Sequence, residues 1–147
     1  MRVSHPNDAY ESVHGQFAWQ VPHQFNIAEA CCGRWARSPL HQKQTAIVTH
    51  LSANVPAQSR SFLDLQLAAD SLSLQLQKKG VKAGDRVAIV MPQRFETAVA
   101  YMSVLQMGAV AMPLSMLFGP DALAFRLDDS GAAVALCDEA SMPVWRL

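Results

Sequence analysis

Few side chains in this chain stand at spacings that chemistry requires. His5, His14 and His23 recur at equal intervals, and His41 and His50 fall in or beside expected loops. A metal site on a helix or turn needs ligands a few residues apart. None of the five histidines sits three or four residues from another ligand type on an expected helix, so they read as surface or loop residues. Cys31 and Cys32 are adjacent, and a vicinal pair on a helix cannot reach ordinary disulfide geometry without distortion. They read as packing thiols. Asp128 and Asp129 could face a cation. They sit at an expected helix C-terminus, where the dipole disfavours them, and no third oxygen ligand is apparent. Lys78-Lys79-Gly80 lacks the glycine-rich strand-to-helix run that cradles phosphate. No Gly-x-Gly-x-x-Gly and no Gly-x-Ser-x-Gly occurs. Five of the seven methionines cluster in the stretch from Met91 to Met116, with Met102, Met107 and Met112 between those two. Methionine adapts to many apolar shapes, but core filling is the simpler reading.

Composition narrows the classes. The chain has 147 residues, half of them apolar and 16% charged. A chain of this size can bury roughly 70% of its unfolded surface, so one domain or part of one is expected. Twelve basic residues balance twelve acidic ones, with no basic block. That argues against nucleic acid or an anionic membrane as partner. Three cysteines, an odd count at irregular spacing, do not form a disulfide framework. They point to a reducing, cytoplasmic setting. Residues 1–24 hold no apolar core segment and do not read as a secretory signal. The uncharged stretch between Glu96 and Asp121 is long enough for a membrane span. Gln106, Gly108 and Pro113 interrupt it, and it divides into a helix and then a strand, so no transmembrane segment is expected.

The elements that must position these side chains are more legible. Residues 1–24 read as an N-terminal arm and residues 25–147 as a partial domain. Asn26 with Glu29 forms a capping pattern, followed by an apolar face of Ile27, Ala30, Cys31 and Trp35. Ser38-Pro39 ends that helix. Thr45–Thr49 is an expected strand, and residues 51–59 read as a hairpin loop. Ser61 and Asp64 form a second capping box. Leu65, Ala68, Ala69, Leu72 and Leu76 then make one apolar stripe, closed by Gly80. A third helix places Phe95, Ala98, Val99, Met102 and Leu105 on one face and ends at Gly108. Gly119-Pro120-Asp121 opens a fourth, with Leu123 and Leu127 inward and Gly131 as its stop. Trp145 and Leu147 read as the start of a further helix.

Three apolar runs begin at Arg86, Ala109 and Ala132, evenly spaced, with helical patterns between them. Near-continuous apolar runs linked by helices are the mark of parallel strands covered on both faces. The expected fold is α/β: a parallel β-α-β-α-β core with flanking helices. Ligands of such sheets gather outside the carboxyl ends of the strands. Those ends are Met91-Pro92-Gln93-Arg94, Leu114-Ser115-Met116 and Cys137-Asp138.

Residues 25–138 resemble the N-terminal part of the AMP-forming acyl-CoA synthetases, within the adenylate-forming superfamily of AMP-binding enzymes. The blocks that carry the likeness are Phe25-Asn26-Ile27-Ala28 with Cys32, Arg34 and Ala36, Ser61-Phe62 through Leu65, and Leu76 to Val81. They continue with Lys82-Ala83-Gly84-Asp85-Arg86-Val87-Ala88-Ile89, Gly108-Ala109-Val110 with Pro113-Leu114, and Leu117-Phe118-Gly119-Pro120 with Ala122-Leu123. Arg126 to Ala132 closes the series. Their order and spacing over most of the chain, rather than any one block, make the match specific.

The resemblance implies an incomplete N-terminal part of the large domain of a ligase that activates a short- or medium-chain carboxylic acid with ATP as an acyl-AMP. The acyl group then passes to coenzyme A, a step of fatty acid metabolism, with Mg²⁺ accompanying the ATP. In the family the Ser/Thr/Gly-rich phosphate loop, the magnesium carboxylate and the catalytic lysine lie beyond the matched region. No catalytic, cofactor-binding or metal-binding residue is therefore carried over. Gly84, Asp85, Gly108, Pro113 and Gly131 match family positions, with turns and close packing as their readable roles. The chain alone is expected to bind neither ATP nor coenzyme A and to be inactive. The rival readings are a non-catalytic α/β interaction module that associates through an exposed sheet edge, and a truncation product.

Overall fold

The structure, a computed structural model, describes Tyr10, residues 13–50 and residues 54–139. His5, part of the 51–59 loop and the expected helix near Trp145 and Leu147 lie outside the described residues. Residues 13–16 form one helical turn, and residues 17–25 run exposed toward the body.

The body opens with a π-helical turn, Glu29–Gly33, that runs into the short helix α1, Arg34–Ala36. Asn26 Oδ1 accepts the Glu29 N–H at 3.1 Å, as the capping pattern predicts. The Glu29 carboxylate turns instead to Arg37. The buried face differs from the expected one. Ala28, Cys32 and Ala36 are buried, whereas Ile27 and Cys31 are exposed. The wider π turn rotates the helix, and Cys32 comes within 3.7 Å of the Phe62 carbonyl, a close approach that suits small side chains.

Strand β1, Thr45–Thr49, pairs antiparallel with β2, Gln58–Ser61, so Gln58 and Ser59 belong to a strand and not to the loop. Helix α2, Phe62–Lys78, starts at a complete capping box. The Ser61 hydroxyl accepts the Asp64 N–H, and the Asp64 carboxylate accepts the Ser61 N–H. Gly80 follows with a positive φ of 90°, the left-handed stop that a Cβ would strain.

Strand β3, Arg86–Val90, helix α3, Phe95–Gln106, strand β4, Val110–Pro113, helix α4, Pro120–Ser130, and strand β5, Val134–Cys137, complete the fold. The strands form one parallel sheet in the order β4-β3-β5. Ala88 stands opposite Met112 on one side and Ala135 on the other. The uncharged stretch between Glu96 and Asp121 divides into α3 and β4, and no helix among the described residues is long and apolar enough to cross a membrane. The strands start at Arg86, Val110 and Val134, again evenly spaced, the latter two slightly later than the apolar runs from Ala109 and Ala132 suggest. From β3 to β4 and from β4 to β5 the chain steps in opposite directions. Right-handed crossovers then put α3 and α4 on opposite faces of the sheet.

Two apolar cores share Leu72. One joins Leu76, Val81, Val87, Val104 and Ala109, with Leu72 against it, and so seals α2 and α3 to the sheet. The other gathers Cys32, Leu65 and Val99 with Ile47, Phe62, Phe95 and Met102, and so ties the π turn and hairpin to α2 and α3. Only β3 has the burial expected of all three core strands: four of its five residues are buried. Strands β4 and β5 are partly open, with Val110 and Pro113 exposed, because each is an outer strand of the described sheet. At the α2–α3 contact the buried Ser73 hydroxyl lies 2.9 Å from the Ala69 carbonyl and 3.0 Å from the Ser103 carbonyl, and it accepts the Gln106 amide. That contact is polar where the sequence stripe placed only leucine and alanine, and the Ser73 hydroxyl and Gln106 amide both find partners there.

Candidate functional site

The reversal of chain direction across the sheet falls between β3 and β5, the place where open parallel sheets hold ligands. The turn after β3 delivers Gln93 and Arg94, and Arg94 is the N-cap of α3 with extended backbone, φ −157°. Its carbonyl accepts the Thr97 N–H at 3.1 Å. The Thr97 hydroxyl bonds back to the Pro92 carbonyl, which fixes the turn. Arg94 Nη2 then lies 3.4 Å from the Asp138 carboxylate at the end of β5, and Nε lies 3.4 Å from Glu96. Asp138 is nearly buried, its side chain 7% exposed.

Beside this ion pair a cleft of about 450 Å³ opens between β1 and α3. Ile47, Val48, Thr49 and His50 form one wall, and Ala98, Met102 and Leu105 line the α3 side. Gln93, Arg94, Thr97 and Tyr101 bring the polar groups. A smaller hollow of about 190 Å³ adjoins it, with Arg60, Arg94 and Phe95 in its wall. Arg60 stands over the Phe95 ring, 5.4 Å from its centroid. Burial suits the large cleft to an apolar body with few polar contacts.

A nucleotide triphosphate does not fit these residues. It calls for several unengaged cations and converging backbone donors. The large cleft offers one guanidinium, already shared between two carboxylates. Among the described residues no group of three or more His, Cys, Asp or Glu could hold a metal ion.

Of the three strand ends singled out from sequence, the structure joins two, Gln93-Arg94 and Asp138, and leaves Leu114-Ser115-Met116 out of the cleft. His50 lines the cleft, His14 and His23 are exposed, and His41 Nδ1 lies 2.8 Å from the Ser38 hydroxyl. Asp128, Asp129, Lys78 and Lys79 lie at helix ends, and all four are exposed. The five clustered methionines are all half-buried, and Met102 alone among them reaches the cleft. Cys31 is exposed, whereas burial pushes the Cys32 thiol up to about 11, with Asp70, Cys31 and Glu29 adding to the shift. The Cys137 thiol is raised as well, by burial first and then by Asp138. Tyr101 and Thr97 carry no sequence signal of their own. They follow Arg94 at helical spacing, and only the contact with β1 makes them neighbours of a cleft.

Comparison with known proteins agrees with this fold. The family profile described as AMP-binding enzyme matches residues 35–145. Acetyl-coenzyme A synthetase of Serratia proteamaculans is 31% identical over 142 residues, which cover 95% of this chain and 21% of that protein. Malpibaldin synthetase of Mortierella alpina is 34% identical over 82 residues, 56% of this chain and 2% of its own. The crystal structure of an acyl-CoA synthetase from Brucella canis superposes with a TM-score of 0.79 at 24% identity, over 91% of this chain and 26% of that one. The chain thus spans about a fifth of the acetyl-CoA synthetase and a smaller share of the longer synthetase. Profile, relatives and fold converge on one assignment: this chain belongs to the AMP-binding enzyme family.

Proposed function

We propose that the chain is the N-terminal part of an acid–thiol ligase of this family, residues 1–24 being an arm and residues 25–147 part of the AMP-binding domain. The complete enzyme would activate a short- or medium-chain carboxylic acid with ATP and Mg²⁺ and transfer the acyl group to coenzyme A. Acetyl-CoA synthetase relatives aligned over most of the chain support that reaction class. The opening segment Phe25 to Ala36 supports the chain-length class. The chain by itself contributes scaffold and not chemistry. The carrying observation is the makeup of the cleft, one guanidinium already paired with Asp138 and Glu96. Without positioned cations the charge that develops on a transferring phosphoryl or adenylyl group has no stabilising partner.

Pyrophosphate exchange into ATP, with acetate, butyrate and octanoate offered in turn, tests this reading. No exchange above a heat-treated control is expected from the chain alone. Acid-dependent exchange would show that these 147 residues assemble an adenylating site.

A second reading rests on the partly open outer strands. β4 and β5 each have a neighbour on one side among the described residues. Such edges are templates for association, so a stand-alone interaction module is the rival. Size-exclusion chromatography separates the two. A sharp monomer or dimer favours the module, and soluble aggregate favours a dependent part of a larger domain.

A further inference from the structure

The wall of the large cleft is made by four consecutive residues, 47–50. Side chains of a strand alternate between its faces, so consecutive residues lining one cavity mean that the cavity runs along the edge of the strand. β1 pairs with β2 alone among the described residues. Thr45–Thr49 holds no lysine, proline or glycine to discourage pairing, and its one register irregularity lies between Thr45 and Ile47, ahead of the stretch that lines the cleft. What fits a bare strand edge beside an apolar hollow is another extended segment of polypeptide.

The chain carries one. Phe17, Trp19 and Val21 alternate with Ala18 and Gln20, the pattern of a half-buried strand, yet they are 60%, 83% and 80% exposed. From Gly15 to Asn26 there is no Asp, Glu, Lys or Arg. Pro22 follows Val21 and would end a strand there. The tether lies at the cleft. Asn26 Nδ2 donates to the Leu105 carbonyl at 3.2 Å and stands 3.3 Å from that of Gln106, and Leu105 lines the cleft's far end. Val21 precedes Asn26 by five residues, a reach of up to about 17 Å. Five extended residues span about 17 Å. The run of α3 from Arg94 to Leu105 also spans about 17 Å.

Direction is fixed by the same contacts. Thr49, at the end of β1, borders Arg94, Phe95 and Glu96, so β1 runs toward the Arg94 end. A segment tethered at Leu105 would run the other way. We propose that residues 17–21 close over the cleft as a third strand, antiparallel to β1, with Trp19 and its alternate neighbours seated in the hollow. The structure holds the open arm. The closed one buries its aromatic residues and completes the hairpin into a three-stranded sheet.

Trp19 reports on this directly. Trp35→Phe and Trp145→Phe leave it as the sole indole. The expected result is blue-shifted emission and acrylamide quenching several-fold weaker than in the denatured chain. Val48→Lys, at a position already half-exposed, is expected to abolish that protection. Amide exchange on the unsubstituted chain gives an independent reading: residues 45–49 exchange several-fold faster once residues 1–24 are removed. The proposal is overturned if Trp19 is quenched as freely in the native as in the denatured chain, or if removing the arm leaves exchange at residues 45–49 unchanged. Protection that rises with protein concentration overturns it too, because the occupant is then a second copy.

Discussion

Arg94 Nη2 lies 3.4 Å from the Asp138 carboxylate, and this pair ties the carboxyl end of β3 to that of β5. The carboxylate is nearly buried, whereas the guanidinium is 39% exposed. The pair therefore joins a desolvated anion to a cation that still sees water. It stands where the chain reverses direction across the sheet, so it shapes both the cleft and the end of the outer strand.

Removing the cation leaves that carboxylate with less compensation. Arg94→Met is expected to lower stability by about 1–3 kcal/mol, less than for a fully buried pair because arginine is partly solvated. Urea unfolding measures the loss. Asp138→Asn placed in the Arg94→Met background should recover about 1 kcal/mol of it, since the two sites share one interaction. Strictly additive effects would show that the pair contributes nothing.

The capping box at the start of α2 predicts a pH-dependent stability. Hydrogen bonds from the Ser61 backbone and then its side chain hold the Asp64 carboxyl below its usual range. A lowered native value means that the ionised form stabilises the fold. That contribution is complete above the unfolded carboxylate value of about 3.9 and is lost as pH falls through the native value. The stability gap between the native chain and Asp64→Asn should thus close as pH drops below about 4. Ser61→Ala is expected to cost about 1 kcal/mol at neutral pH.

The two adjacent cysteines should differ sharply in reactivity. Cys32 is buried and its thiol is pushed up to about 11, while Cys31 is exposed. Iodoacetamide at neutral pH is expected to modify Cys31 in the native chain and to reach Cys32 only on unfolding, with mass spectrometry of the peptide as the readout. The sign for stability is opposite to that of Asp64. A raised native value favours the neutral thiol, so the contribution is complete below the unfolded value of about 8.5 and is lost as pH rises toward about 11.

Gly131 closes α4 with a φ of 58°, and Arg86 donates to its carbonyl at 2.9 Å and to that of Ser130 at 2.8 Å. Gly131→Ala forces a side chain into the left-handed region and should cost about 1–2 kcal/mol. A Cβ there would also meet Arg86 Nη2 at 3.1 Å. Thermal unfolding checks the loss, and Gly119→Ala, where the added carbon meets nothing within 4 Å, is the control.

The sheet was readable because its signals are local. Three apolar runs, each preceded by a glycine stop, specify β3, β4 and β5 without reference to the rest of the chain. The Ser61–Asp64 box is equally local. The hairpin reading implies a partner for β1, but the bounds of β2 are not legible, since Gln58-Ser59-Arg60-Ser61 has neither apolar alternation nor β-branched residues. Only pairing with β1 makes it a strand. The first buried face was misplaced because the sequence weights Ile27 and Trp35 by size, whereas the π turn presents Ala28, Cys32 and Ala36. Nor does any spacing announce the cleft. It arises where β1 meets α3, two segments far apart in sequence, and Asp138, the distant partner of Arg94, comes only after β5.

Titration of the folded chain with Mg-ATP in a calorimeter tests the central claim most directly, that this part of an AMP-binding enzyme is scaffold without an ATP site. The expected trace shows no binding heat at millimolar nucleotide, with the circular dichroism of an α/β fold confirming that the protein in the cell is native. Saturable binding at micromolar nucleotide by that same native sample would contradict it.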